Sequence, residues 1–206
     1  MAKHSILLTG FEPFDGSDDN PSARVVARLA SARIPGVRLV TAVLPVAVRR
    51  APKVLLGLLD AHRPAAVLML GEMRGSPCVR VERIAVNMLY ATIPDNDGVS
   101  LNEEPIDPAG PAAYWATLPP AATCEAVRRA GIPCVCSFSA GAYLCNLVMY
   151  LTLHWSAVHS PKTKAGFLHL PSLPSQMRAA NSPTPTMALA TSVKAVRAAM
   201  EAFVKD

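Results

Sequence analysis

The chain is predicted to be α/β: a single-domain three-layer sandwich with a mostly parallel, mixed central sheet and helices on both faces. The prediction rests first on alternation, because short apolar runs of strand length follow helical patterns through most of the 206 residues. It rests next on composition. Hydrophobic residues make up 51% and charged residues 17%, which supplies a core and argues against disorder. No repeat and no linker divides the chain, so residues 1–206 read as one domain. The 19 prolines point to many loops between short elements.

Taken in order, residues 5–10 ("SILLTG") read as a short buried strand, followed by the loop "FEPFDGSDDN". Asn20-Pro21 reads as an N-cap with proline in the first helical position, and "SARVVARLASA" continues as a helix. "VRLVTAVLPV" is a second strand, and "RRAPKVLLGLLDAH" carries helical spacing at Val54, Leu55, Leu58 and Leu59. "AAVLML" is a fully apolar third strand ending at Gly71. Residues 79–87 ("VRVERIAVN") have strand composition, and a Pro/Asp/Asn-rich loop covers about 91–111. A helix near "AATCEAVRRA" leads to the strand "PCVCSF". After the turn "SAG", a helix carries Cys145 about one turn from its start. "AGFLHL" is the last strand. A Pro/Ser-rich loop and a helix from residue 185 to 206 complete the chain.

The net charge of +5 is scattered, and its densest cluster is the short "PKTK" of residues 161–164, so no nucleic-acid surface is expected. No apolar run approaches the ~20 residues of a membrane span, and "SILLTGF" is too short for a signal-peptide core. The five cysteines are odd in number, which suggests free thiols in a reducing cytoplasm.

In such a fold, active residues sit on loops at the C-terminal ends of strands. The relevant loops follow the first strand, the third strand and "PCVCSF". Cys145 lies beside the apolar stripe Leu144, Leu147, Val148 and Leu151, and so reads as core. It also lies near a helix N-terminus, where the dipole and free N–H groups favour a thiolate and can hold an oxyanion. A thiol nucleophile needs a base. His4, His62 and His159 read as surface residues. His154 is nine residues beyond Cys145, ~13 Å along the helix, and out of reach. His169, ending "AGFLHL", reads either as structural or as the base. Glu82 is out of character in a strand, and reads either as an edge residue paired with Arg80 or Arg83 or as the group that orients the imidazole. Cys134 and Cys136 lie on one face of a strand without metal-ligand spacing, so neither metal nor cofactor is expected. Phosphate-loop and dinucleotide glycine motifs are missing.

The stretches "LLTGFEPFDG…NPS", "ERIAVN", "IPDNDG", "PIDPAGPAAYWATLP", "SAGAYLCN" and "GFLHLPSLPSQ", in that order, resemble the pyroglutamyl peptidase I (pyrrolidone-carboxylate peptidase) family of cysteine peptidases over nearly the whole chain. The resemblance implies removal of N-terminal pyroglutamate from peptides. It makes Cys145 the nucleophile, His169 the base and then acid, and Glu82 the orienting carboxylate. Phe11 and Phe14 match aromatic pocket walls, with Ile93 and Tyr143 at further lining positions. It also implies a homo-oligomer, often a tetramer.

The chain departs from the family pattern around these residues. Glu72, in "GEMRGS", stands at a substrate-binding position where glutamine is common, and Arg74 where a small residue is usual. A buried carboxylate beside a neutral lactam is costly unless protonated or paired, and Arg74 is the candidate partner. Arg80 replaces a Ser or Thr, and Thr92 an arginine. The readings are therefore an active pyroglutamyl peptidase, a cysteine amidase or peptidase of shifted specificity, and a non-catalytic lactam- or peptide-binding protein.

Overall fold

A computed structural model describes residues 4–177 and 184–204. Six strands form the main sheet: β1 (His4–Phe11), β2 (Val37–Leu44), β3 (Ala66–Glu72), β4 (Val79–Glu82), β7 (Cys134–Ser137) and β8 (Lys164–Leu170). Their order is β2-β1-β3-β8-β4-β7. Neighbours run parallel except β4 and β8, which are antiparallel. The expected mixed, mostly parallel sheet is therefore present.

Its strands are apolar on both faces because both are covered by helices. Ile6, Leu8, Leu68, Leu70, Leu168 and Leu170 face one core, shared with α1 (Pro21–Leu29), α3 (Pro120–Arg129) and α5 (Leu189–Val204). The alternate residues Leu7, Val67, Met69 and Phe167 face the other, shared with α2 (Ala51–His62) and α4 (Leu144–His159). This is the three-layer sandwich. Among the described residues, no helix is long and apolar enough to cross a membrane.

The predicted cap is present: Asn20 Oδ1 accepts from the backbone N–H of Ser22 at 2.9 Å, with Pro21 in the first turn. Other boundaries differ for physical reasons. Residues 79–87 do not form one strand. The Arg83 N–H donates to the Ser137 carbonyl of β7, while the Arg83 carbonyl accepts from Ala116, so the backbone crosses between sheets there. Beyond it, β5 (Ile84–Val86) pairs with β6 (Ala113–Trp115) in a small antiparallel sheet absent from the sequence reading. The last helix begins at Leu189 rather than 185, because the Met187 N–H is tied to the Ser172 carbonyl and its side chain is buried. Residues 178–183 of the predicted Pro/Ser-rich loop, and residues 205–206 of the last helix, lie outside the described residues.

Close packing of α1 on β1 needs Gly10. A Cβ there would stand 2.7 Å from the backbone C and O atoms of Ser22, which cannot move without shifting the helix start. Gly10→Ala should lower stability by about 1–3 kcal/mol, read as a lower urea midpoint. An unchanged midpoint would show that the contact does not set the spacing.

Candidate active site

Antiparallel pairing of β4 with β8 brings Glu82 to His169. Arg80 lies across from His169 and Glu82 across from Phe167. Glu82 is thus the diagonal neighbour of His169, within reach of long side chains. Val79 and Val81 face the opposite core, which turns Arg80 and Glu82 toward the histidine. His169 Nδ1 and Glu82 Oε1 are 2.8 Å apart, with the two residues 2% and 0% exposed. Glu82 is therefore not a solvent-facing edge residue. Arg80 Nε stands 3.7 Å from the same oxygen, and its Nη2 donates to Ser137 Oγ at 2.9 Å. Arg83 instead lies over the Phe138 ring.

Cys145 is the second residue of α4, nearer the helix start than the sequence suggested. Tyr143 is the N-cap residue and offers no side-chain cap, and the first intrahelical bond runs from the Leu147 N–H to the Tyr143 carbonyl. The preceding N–H groups are available to an anionic oxygen. Asn146 fixes this end of the helix. Its Oδ1 accepts from the Val86 N–H, and its Nδ2 donates to the carbonyls of Val86 and Met88, all at 2.9 Å.

The sulfur rests over β3 because Gly71 has no side chain. A Cβ there would lie 2.7 Å from Cys145 Sγ and 2.8 Å from Phe167 Cζ. Gly71 is also the register partner of His169. Adjacent strands are ~4.8 Å apart, so the thiol sits one strand from the imidazole. The expectation of a depressed thiol pKa is not met. Burial pushes Cys145 up to about 12, with the Glu82 and Glu72 carboxylates adding to the effect and its own backbone N–H opposing it. That direction favours the neutral thiol over the thiolate.

Beside the sulfur lies a pocket of about 280 Å³, open mouth included, whose walls include Phe11, Phe14, Val46, Tyr143 and Leu144, with Asn20 and Glu72 as polar members. Phe11, Phe14, Glu72 and Tyr143 thus meet at Cys145. Ile93 does not line this pocket; it is half-buried in the adjoining loop, next to Pro94, whose carbonyl accepts from the Tyr143 hydroxyl at 3.4 Å. That loop is stapled to the pocket wall. Asn96 Nδ2 donates to Glu12 Oε1 and the Pro13 carbonyl, and Asp95 Oδ2 accepts from the Val48 N–H. Thr92 is exposed.

Glu72 is held by partners the sequence did not indicate. Its Oε1 accepts from Ser172 Oγ at 2.6 Å and from Gln176 Nε2 at 3.1 Å. Arg74, the expected partner, approaches only to 3.8 Å; its shorter contact is with Asp15 at 2.6 Å, and it stacks over Phe14. Gly71, Val46, Asn20, Phe167, Ser172 and Gln176 were not singled out as site residues. Gly71, at the end of an apolar strand, carried the most usable signal, since glycine there often marks a close approach. His154 is engaged elsewhere, 2.8 Å from the Tyr114 hydroxyl.

Known proteins resemble this chain over nearly its whole length. The family model described as "Pyroglutamyl peptidase" matches residues 4–206. A pyrrolidone-carboxylate peptidase of Thermococcus onnurineus is 42% identical over 97% of this chain and 98% of its own. The pyrrolidone carboxyl peptidase structure from Fervidobacterium islandicum superposes with a TM-score of 0.95 at 40% identity, covering 98% of this chain and 99% of that one. The one from Thermococcus litoralis gives 0.93 at 40% identity, covering 97% and 92%. With its fold, the order of its motifs and its near full-length matches in agreement, the chain belongs to the pyroglutamyl peptidase family.

Proposed function

We propose that this protein is a cysteine peptidase that releases N-terminal pyroglutamate from peptides, with Cys145 as nucleophile, His169 as base and acid, and Glu82 as the orienting carboxylate. The observation that carries the reading is the enclosed His169–Glu82 hydrogen bond of 2.8 Å, one strand from a thiol seated over Gly71. Glu82 accepts from Nδ1 and so leaves Nε2 free to take a proton.

Because the resting thiol is protonated, attack requires its proton to move to His169 as the sulfur adds to the pyroglutamyl carbonyl. Free N–H groups at the start of α4 stabilise the resulting oxyanion. His169 then protonates the departing amine as the C–N bond breaks, leaving a thioester on Cys145. Water, deprotonated by His169, hydrolyses the thioester and restores the thiol. The apolar walls Phe11, Phe14, Val46 and Tyr143 suit a flat, uncharged lactam. We read residues 1–206 as one catalytic domain, supported by the family match over 4–206. We further infer a cytoplasmic homo-oligomer, with a tetramer as the expected assembly. The five free thiols and the outward-facing Trp115 and Phe138, 64% and 66% exposed, support these two readings respectively.

A fluorogenic pyroglutamyl amide tests the activity. The unaltered protein should release the fluorophore, Cys145→Ala should lose about 10⁴-fold or more, and Glu82→Gln should lose about 10²–10⁴-fold in kcat. Binding without turnover would identify a non-catalytic lactam-binding protein instead, and turnover of a different acyl amide alone would indicate shifted specificity.

The protonation state makes a separate prediction. A thiol raised to about 12 is neutral at pH 7, so thiolate absorbance should appear only well above the ordinary thiol range. Iodoacetamide should accordingly alkylate Cys145 slowly at pH 7 without substrate, and faster as pH rises. A thiolate titrating below pH 8, lost in Cys145→Ser, would contradict this. The sign for stability follows: a folded pKa above the unfolded one stabilises below pH ~9, and that contribution fades as pH rises toward 12.

A further inference from the structure

Glu72 carries an oxygen that the described residues leave unused. Oε1 is satisfied by Ser172 and Gln176, but Oε2 is enclosed with no hydrogen-bond partner among the described residues. The side chain is 0% exposed and lines the same pocket as Phe11, Phe14 and Cys145. A buried carboxylate oxygen without a donor is costly, and the cost is relieved when a ligand brings the donor. Among the described residues, Arg74 does not fill this role: its shortest approach is to Oε1, at 3.8 Å, it makes no hydrogen bond to Oε2, and it is drawn outward by Asp15 and the Phe14 ring.

A carboxylate can only accept, whereas an amide at this position can also donate. It therefore has no means of reading the ring carbonyl of a lactam and favours whatever carries N–H on the ring. A five-membered ring with a protonated secondary amine satisfies it better than a neutral lactam N–H, because both partners of the hydrogen bond then carry charge. The carboxylate also supplies the countercharge that a cation needs inside an apolar pocket. N-terminal proline presents such a ring, with its nitrogen attached to the carbon that bears the scissile carbonyl.

We propose that Glu72 extends the substrate class of this site to peptides with an N-terminal prolyl residue, its Oε2 receiving the pyrrolidinium N–H. The inference rests on the acyl-transfer reading of Cys145 and His169. The chemistry is unchanged: Cys145 Sγ displaces the amine from the prolyl carbonyl, His169 carries the thiol proton to the leaving group, and water frees proline from the thioester. No oxidant, metal or co-substrate is required.

The test compares kcat/KM for prolyl and pyroglutamyl aminomethylcoumarin amides in the unaltered protein and in Glu72→Gln. Both amides should be cleaved by the unaltered protein. The prolyl-to-pyroglutamyl ratio should fall at least about tenfold in the variant, the equivalent of ~1.4 kcal/mol. A ratio is insensitive to a general loss of active protein. Cleavage of the pyroglutamyl amide alone, or a ratio unchanged by Glu72→Gln, overturns the proposal and leaves the pyroglutamyl reading intact. If neither amide is cleaved, the acyl-transfer reading fails, and calorimetric titration of Cys145→Ala with prolinamide decides the role of Glu72. Binding that is lost on adding Glu72→Gln supports it, and no binding overturns it.

Discussion

Helix α4 can seat its first turn on the sheet only where β3 has no side chain, at Gly71. There the thiol of Cys145 and the ring of Phe167 both occupy space that a single methyl group would fill. The register of β3 with β8 sets His169 beside that glycine, and the reversal of β4 against β8 delivers Glu82 diagonally. The three side chains thus come from separate elements, but one close approach fixes their relation. Asn146 locks the same helix end to β5, so Cys145 is positioned from below by a glycine and from the side by an amide.

Burial has opposite consequences for the thiol and for the acids around it. It raises the thiol pKa of Cys145, which disfavours a stored thiolate at the helix N-terminus and leaves its N–H groups available to other negative charge. Glu82 and Glu72 each engage one oxygen and leave the other enclosed without a partner among the described residues. Such groups weigh against stability and favour function at the place where they stand. Glu82 spends its engaged oxygen on His169. Glu72 spends its own on Ser172 and Gln176, which aligns the carboxylate within the pocket.

Much of this was legible in the sequence because local chemistry dictates it. Alternating apolar runs gave the layers, Asn20-Pro21 marked a helix start, and the small residues before Cys145 marked another. His169 and Glu82 stood out as polar residues in strands. What could not be read depended on pairing between distant segments. The crossing at Arg83 is set by hydrogen bonds to Ser137 and Ala116, and β6 exists only because β5 is beside it. The partners of Glu72 are about a hundred residues away, so proximity in sequence pointed to Arg74 instead. The raised thiol pKa is hidden from the sequence for a related reason. The helix end is visible in sequence, whereas the burial and the two carboxylates that outweigh it come from the fold.

On the proposed mechanism, the seated thiol of Cys145 carries the acyl group. Acid-quenching the enzyme during turnover of a pyroglutamyl ester, followed by peptide mass spectrometry, reads this directly. The account predicts a mass gain of one pyroglutamyl group on the peptide bearing Cys145 and on none of the peptides bearing Cys78, Cys124, Cys134 or Cys136. Acylation of another residue, with Cys145 unmodified while product accumulates, would contradict it.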